Sequence, residues 1–416
     1  MRNAGNNMKN ATLRYALINI SYFAVFCGIH AYASVFLLSK GFTNTQIGIV
    51  LALANILSVL AQPIVAGLID KPGVFTNRNV SMASTVLLII GSILLYFIAN
   101  SFVVIFIIYA LIYMIQMLYQ PLIIAMNFEY TKAGARINFG LARGLGSFGF
   151  AVTSLIFGQI ISNIGVASIQ LIDAGLLAAS MVMLATFVLP DSGDGASCHT
   201  LYRENSSVPT STAATAPPVA HNNFFDFVKT YPKFMLFILG SVCFFFAHNT
   251  LNDYLIQIIT PIGGDEAKMG YAIFVAAALE LPTMACIGFL TKKTSCSNLL
   301  IISGFFFGVK TLCMLLAQGM AMVYISQACQ LAAYALFIPA SAYYVDEVME
   351  ELDKVKGQAY INVAITLGGV FSNLICGRIL DVSGVFVMLL TALFVSIAGL
   401  VIVVFAVKEG RSPSAI

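Results

Sequence analysis

The stretch FGQIISNIGV, residues 157–166, returns 219 positions later as CGRILDVSGV, residues 376–385. The same offset pairs Gly158 with Gly377, Gly165 with Gly384 and, upstream, Gly149 with Gly368. A second pair, QPLIIAMNFE (120–129) and IPASAYYVDE (338–347), has an offset of 218 and matches Pro121 to Pro339 and Glu129 to Glu347. Chance similarity between apolar helices is the alternative, and a recurring offset with glycine and proline in register favours a repeat over it. The chain therefore reads as two parallel copies of one unit.

Working outward, the units are made of membrane-crossing helices. Of 416 residues, 59% are hydrophobic and 9% charged, against roughly 25% charged in a soluble domain. Apolar runs of about 20 residues, the length that crosses a bilayer as helix, lie near 15–39, 44–69, 80–99, 102–126, 140–162 and 166–189. A second set lies near 233–259, 267–290, 298–317, 320–345, 358–380 and 384–407. Turn-forming stretches such as SKGFTN, KPGVFTNRN, GGDEAK, TKKTSCS and DVSG separate them. Between the sets, residues 190–232 are polar and rich in Ser, Thr, Ala and Pro, too poor in apolar side chains to order themselves. The expectation is an all-α integral membrane protein of twelve transmembrane helices. Residues 1–189 form one six-helix bundle, 190–232 a flexible cytoplasmic linker and 233–416 a second, pseudo-symmetric six-helix bundle. Parallel six-helix repeats around a central binding site describe a large transporter architecture.

Basic residues set the orientation. With both termini cytoplasmic, sixteen Lys and Arg residues from Arg2 to Arg411 fall on the cytoplasmic side, and only Lys40 and Lys268 on the other. The basic, then apolar, N-terminal segment is too long for a signal-peptide core and reads as an uncleaved first helix in the cell membrane. Eight scattered cysteines without a CxxC pair give no disulfide or metal signal, and a net charge of +3 gives no nucleic-acid footprint. No cofactor is expected, and no nucleophile–base pair or nucleotide loop points to an enzyme. The expected state is a monomer in the lipid bilayer.

Ionised side chains deep in such helices are costly and are functional candidates by default. Glu280, in AAALELPTM, sits at the middle of the eighth span, too deep for its short side chain to reach water. Lys310, in GFFFGVKTLCM, lies near the middle of the ninth, where pairing with Glu280 would lower the cost of burying both. Arg143, in GLARGLGSFGF, is a few residues inside the fifth span, shallow enough either to snorkel or to grip a solute. The seventh span, FFFAHNTLNDYLIQI, supplies His248, Asn249, Asn252 and Asp253. His248 and His30 serve either as hydrogen-bonding links between helices or as ligands, and Asp253 either faces the solute path or lies at the interface. Arg378 and Asp381 read as interfacial.

On these features the chain resembles the major facilitator superfamily over essentially its whole length. The loop AGLIDKPGVFTNR is similar to the superfamily signature after helix 2, with Asp70, Lys71, Gly73 and Arg78 as the matching types, although Gly67 sits one place late. The resemblance implies that Asp70, Lys71 and Arg78 belong to a gating loop. INFGLARGLGSFGF is similar to the fifth helix of the lactose permease branch of oligosaccharide/proton symporters. There the arginine binds sugar and an aromatic seven residues later stacks on it, which implies these roles for Arg143 and Phe150. Glu280 falls at that branch's sugar-contacting glutamate, Lys310 at an arginine linked to proton release, and Asn127 nearest to a helix 4 sugar contact. The branch's charged partners are neutral at Asn249, Asn252 and Ile365, and its helix 10 coupling pair falls on Tyr334 and Phe337.

The functional expectation is a secondary transporter that imports a small neutral polyhydroxylated solute, a sugar, oligosaccharide or nucleoside, with or without a proton. Arg143, Phe150, Glu280, Asn127, Asn249, Asn252 and His248 would bind solute, and Glu280, Lys310 and Asp253 would respond to an ion. The alternatives are an importer of aromatic or organic acids or a drug exporter, with Arg143 and Lys310 gripping a carboxylate, and more remotely a receptor or scaffold that transports nothing.

Overall fold

A computed structural model describes residues 11–69, 75–97, 101–187 and 224–408. Asp70, Lys71 and nearly all of the 190–232 segment lie outside these residues. Among the described residues are eleven continuous helical spans long and apolar enough to cross a membrane. The last of them, Lys354–Lys408, is two helices, because Gly384 breaks it with φ 78° and ψ −178°. Gly165, its counterpart in the repeat, stands at φ 106° and ψ 162° and ends the fifth helix. Glycine adopts such angles without the steric cost of a Cβ, so the glycine that closes each copy of the repeated stretch is the hairpin between two membrane helices. Twelve spans result, and the protein is a multi-pass membrane protein.

In chain order α1 runs through Ala11–Phe26, a π-helical turn at Cys27–Ala31 and Ala33–Ser39. Then come α2 (Asn44–Ile69), α3 (Asn77–Phe97), α4 (Phe102–Lys132), α5 (Phe139–Ile164) and α6 (Ser168–Thr186). The second set is α7 (Pro232–Asp253), α8 (Glu266–Lys293), α9 (Cys296–Leu315), α10 (Met320–Val348), α11 (354–383) and α12 (385–408). A short helix, Phe224–Thr230, precedes α7. α10 is interrupted by a 3-10 turn at Cys329–Leu331.

The repeat extends beyond what its two quoted stretches show. Prolines inside α2 and α8, Pro63 and Pro282, are 219 residues apart, as are Asn77 and Cys296 near the starts of α3 and α9. Glu129 at the end of α4 accepts a hydrogen bond from Asn77 Nδ2 at 2.6 Å, and Glu347 at the end of α10 accepts one from Cys296. Each carboxylate also complements the positive end of the helix it meets. Large apolar side chains such as Phe97, Phe386 and Phe394 point outward, where lipid is the solvent. Inside, buried tyrosines tie α1 to α4 through main-chain carbonyls: Tyr15 to Ile123, Tyr22 to Gln116, and Tyr109 back to Ile29 in the π turn.

The first six and last six helices meet along two seams, α5 with α8 and α2 with α11, and the seams are tight at one end only. There a Cβ on Gly158 would lie 2.6 Å from the Glu266 carbonyl oxygen, and one on Gly377 would lie 2.6 Å from that of Asn44. Ser154 Oγ donates to the Gly270 carbonyl at 3.2 Å, Ser34 Oγ to that of Asp253, and Gln257 Nε2 to Asn44 Oδ1 at 3.0 Å. At the other end, a methyl group added to Gly67, Gly144 or Gly288 would meet nothing within 4 Å. No residue of α2 beyond Ser58 or of α8 beyond Ala277 is buried. The protein is thus sealed at the end holding loop 40–43 and splayed at the opposite end.

Asp381, read from sequence as interfacial, is exposed near the outer end of α11 and also caps the first turn of α2 from the other half, accepting from Asn44 N (3.0 Å), Asn44 Nδ2 (2.8 Å), Thr45 N (2.7 Å) and Thr45 Oγ1 (2.5 Å). Losing an N-cap costs about 0.5–2 kcal/mol, here charged entirely against the sealed conformation. Asp381→Ala is expected to raise alkylation of Cys376, which is buried, hydrogen-bonded to Thr250 of α7 and next in sequence to Gly377 of this seam, several-fold over wild type, with Cys286, exposed on α8, as the unchanged control.

Candidate functional site

Between the seams, the sequence candidates fall into two groups. Arg143, one turn into α5, stands with its guanidinium carbon 4.1 Å from the centre of the Phe23 ring and donates from Nη1 to Ser147 Oγ at 2.9 Å. Stacking on an aromatic face is a geometry that suits a guanidinium. Arg143 also interacts electrostatically with Tyr15 and Tyr22 of its own half and with Glu280 and Tyr334 of the other. Phe150, two turns deeper, packs at 6.2 Å from Phe26. The arginine is therefore not snorkelling to a membrane surface; it faces the second half of the molecule.

Opposite it, Glu280 and Lys310 do not touch. Gln330, in the 3-10 turn of α10, stands between them: Lys310 Nζ donates to Gln330 Oε1 at 2.6 Å, and Gln330 Nε2 donates to Glu280 Oε1 at 2.8 Å. An amide has one acceptor and one donor end, so it can serve an ammonium and a carboxylate at once. Lys310 is fully buried, so its charge depends on this chain. The direct Glu280–Lys310 pairing that the sequence allows is replaced by this relay. Gln330 was visible only as one amide among many, because nothing in sequence says that the α10 turn would aim it at two charges.

His248 stacks on Tyr334 at 5.0 Å and 9°. Its Nε2 lies 2.9 Å from Asn252 Nδ2, which makes Nε2 the acceptor and leaves the proton on Nδ1. Asn249 turns away, donating to the Phe245 carbonyl at 2.8 Å and resting against Gly369 of α11. Asp253 ends α7 at the sealed seam, beside Asn373. Asn127 is buried on α4, and its Oδ1 has no hydrogen-bond partner. Arg78 is not at a seam: it donates to the Leu184 and Ala185 carbonyls at 2.9 and 2.8 Å, closing the last turn of α6. The other two residues expected in a gating loop, Asp70 and Lys71, fall outside the described residues.

One residue gained weight from the repeat. His30 precedes His248 by 218 positions and is likewise 8% exposed, held between Phe26 (4.0 Å) and Tyr113 (3.7 Å). Each half thus brings a ring-stacked imidazole to the same place in its bundle. The offset that matched glycines and prolines would have found this pair.

Residues 12–407 match the family described as MFS_1 like. The chain belongs to the MFS_1-like family. Among curated relatives, this MFS_1-like protein is 23% identical over 375 residues to the uncharacterized transporter YwbF of Bacillus subtilis (strain 168), covering 89% of this chain and 86% of the relative. It is 22% identical over 410 residues to a maltose permease of Geobacillus stearothermophilus, covering 97% of each. Among solved structures, it is similar to the nucleoside transporter NupG, with a TM-score of 0.74 and 14% identity over 97% of this chain and all of that one. It is also similar to a bacterial homolog of the human lysosomal transporter Spinster, solved in an inward-facing, unoccupied conformation, with a TM-score of 0.64 and 13% identity over 97% of this chain and 96% of that one. The two structural likenesses establish the major facilitator fold.

Proposed function

We propose that this MFS_1-like protein is an alternating-access importer of a small neutral polyhydroxylated solute, a sugar, oligosaccharide or nucleoside, driven by a proton. The observation that carries the reading is Arg143 facing Glu280 and Tyr334 across the two halves. A solute gripped from both halves holds them in a defined relation, and its release lets them part, which is what alternating access requires. Opposite charges beside Tyr334, His248 and Phe150 suit hydroxyls and ring faces. A maltose permease and a nucleoside transporter among the relatives support the same solute class.

The two bundles, 1–189 and 233–416, rock as units joined by the 190–232 segment. The splayed end carries Lys132, Arg136, Lys292, Lys293, Lys354 and Lys356, so by the excess of basic residues in cytoplasmic loops it faces the cytoplasm, with both termini. The carboxylate-importer alternative fits less well, because Lys310 already gives its charge to the Gln330 relay.

The test is uptake of radiolabelled maltose and uridine into proteoliposomes. Arg143→Ala is expected to reduce uptake of the accepted solute more than tenfold, since a charge-assisted hydrogen bond is worth about 1.5–3 kcal/mol and each 1.4 kcal/mol is about tenfold. Uptake confined to anionic solutes, or an Arg143→Ala rate equal to wild type, would overturn the assignment.

A further inference from the structure

Asp173 is a buried acid that the solute site does not use. It lies five residues after Ser168, the first residue of α6; its side chain is fully buried, and neither carboxyl oxygen has a hydrogen-bond partner among the described residues. The group rests on α1 at the π turn, against Gly28. A Cβ on Gly28 would lie 2.4 and 2.5 Å from the two oxygens, so the carboxyl occupies the space that any other residue would fill. Departures from α-helical winding of this kind collect at functional sites.

The titratable neighbours offer it no counter-charge. From α1 come Cys27, His30 and Tyr32; the His30 ring is held between Phe26 and Tyr113, and the Tyr32 hydroxyl donates to the Ser154 carbonyl at 2.7 Å. From α4 come Tyr113 and Tyr109, and the Tyr109 hydroxyl is given to the Ile29 carbonyl at 2.8 Å. The arginines of α3 and α5, Arg78 and Arg143, are at the opposite ends of their helices, bonded to Leu184 and Ala185 and to Ser147. On α6 itself, Gln170 is a neutral amide whose Oε1 has no hydrogen-bond partner.

A bare carboxylate in this place would have nothing to replace its hydration, the most expensive form of polar burial. Among the described residues no three His, Cys, Asp or Glu side chains gather to hold a metal ion. A proton needs neither room nor further ligands. We propose that Asp173 is a proton-carrying site whose occupancy is tied to closure of the sealed end. This rests on the alternating-access reading above and names the site of its driving ion.

The tie is α1. Just beyond Gly28 the same helix carries Tyr32, bonded to Ser154 at the α5–α8 seam, and Ser34, bonded across the halves to Asp253. Opening the seam draws this part of α1 off α6 and admits solvent to the carboxyl. The O–H bond then breaks, the proton leaves to water, and the electron pair stays on the carboxylate. Closing requires a proton to be taken up again.

The experiment uses the full chain in lipid nanodiscs without solute, with the carboxylic-acid C=O stretching band followed by infrared difference spectroscopy on exchange into D2O. The expected result is a band that shifts on labelling aspartate with carboxyl-13C, moves in Gly28→Ala and is missing in Asp173→Asn. In proteoliposomes, Asp173→Asn should keep solute exchange near the wild-type rate. It should lose the accumulation of about 40-fold that one charge crossing about 100 mV sustains. An aspartate-independent band in the wild type overturns the proton site even if neither variant folds. Uphill accumulation by Asp173→Asn equal to wild type overturns the coupling. Loss of exchange in wild type and variant alike, with the band present, counts against the transport reading and leaves the proton site standing.

Discussion

Placing a methyl group at Gly158 and at Gly48 is expected to unseal the closed end and stop transport. A Cβ on Gly48 would stand 2.0 Å from the Asn373 carbonyl oxygen, and one on Gly158 would stand 2.6 Å from that of Glu266. Both obstacles are main chain, so no rotamer change relieves them. Overpacking costs about 1–3 kcal/mol per site, and the two glycines lie on different seams, so their costs should nearly add. Both substitutions also leave the other conformation untouched, because the clash exists only where the halves touch. The double variant Gly48→Ala/Gly158→Ala should therefore fold, lose transport by about two orders of magnitude at roughly 1.4 kcal/mol per decade, and expose Cys376 to alkylation. A double variant that transports normally with Cys376 still protected would show that this interface does not open in the cycle.

Breaking the Lys310–Gln330–Glu280 relay is expected to have the largest effect on stability. Removing one member of a buried charged set leaves the other uncompensated, at about 3–5 kcal/mol. Lys310→Met and Glu280→Leu should each lower the unfolding free energy in detergent by about that much. The double variant should recover most of the loss, because no bare charge remains, yet stay inactive on the solute-gripping role proposed for Glu280. Stability losses that simply add in the double variant would mean that Gln330 transmits nothing between the two charges.

Several parts of this molecule could be read from sequence because one residue type solves one local problem. Gly165 and Gly384 mark helix ends since the turn needs backbone angles that side chains oppose. Glu280 announced itself by depth, and the Arg143 segment by its pattern. What sequence did not yield depends on partners far along the chain. Gln330 became a bridge only when a 3-10 turn set it beside two charges. Asp173 escaped notice because, five residues into α6, it resembles an interfacial acid, and only packing against Gly28 removes it from water. Asn249 was legible as polar, but not as spending its amide on its own helix. The π turn of α1 carries no proline or glycine pair to announce it.

The seams also bear on speed. They join the halves by glycine against main chain and a few hydrogen bonds, beside one buried cluster to which both halves give apolar side chains, Ile47 and Leu51 from the first and Met269 and Leu380 from the second. Parting them exchanges protein hydrogen bonds for bonds to water, at a net of about 0.5–1.5 kcal/mol each, and uncovers the part of that apolar cluster which lies between the halves. Where glycine meets main chain, no side chain has to leave a socket before the halves part. The barrier to rocking is then set by the apolar surface uncovered more than by the hydrogen bonds exchanged, and the motion belongs to the microsecond-to-millisecond range of collective domain motions.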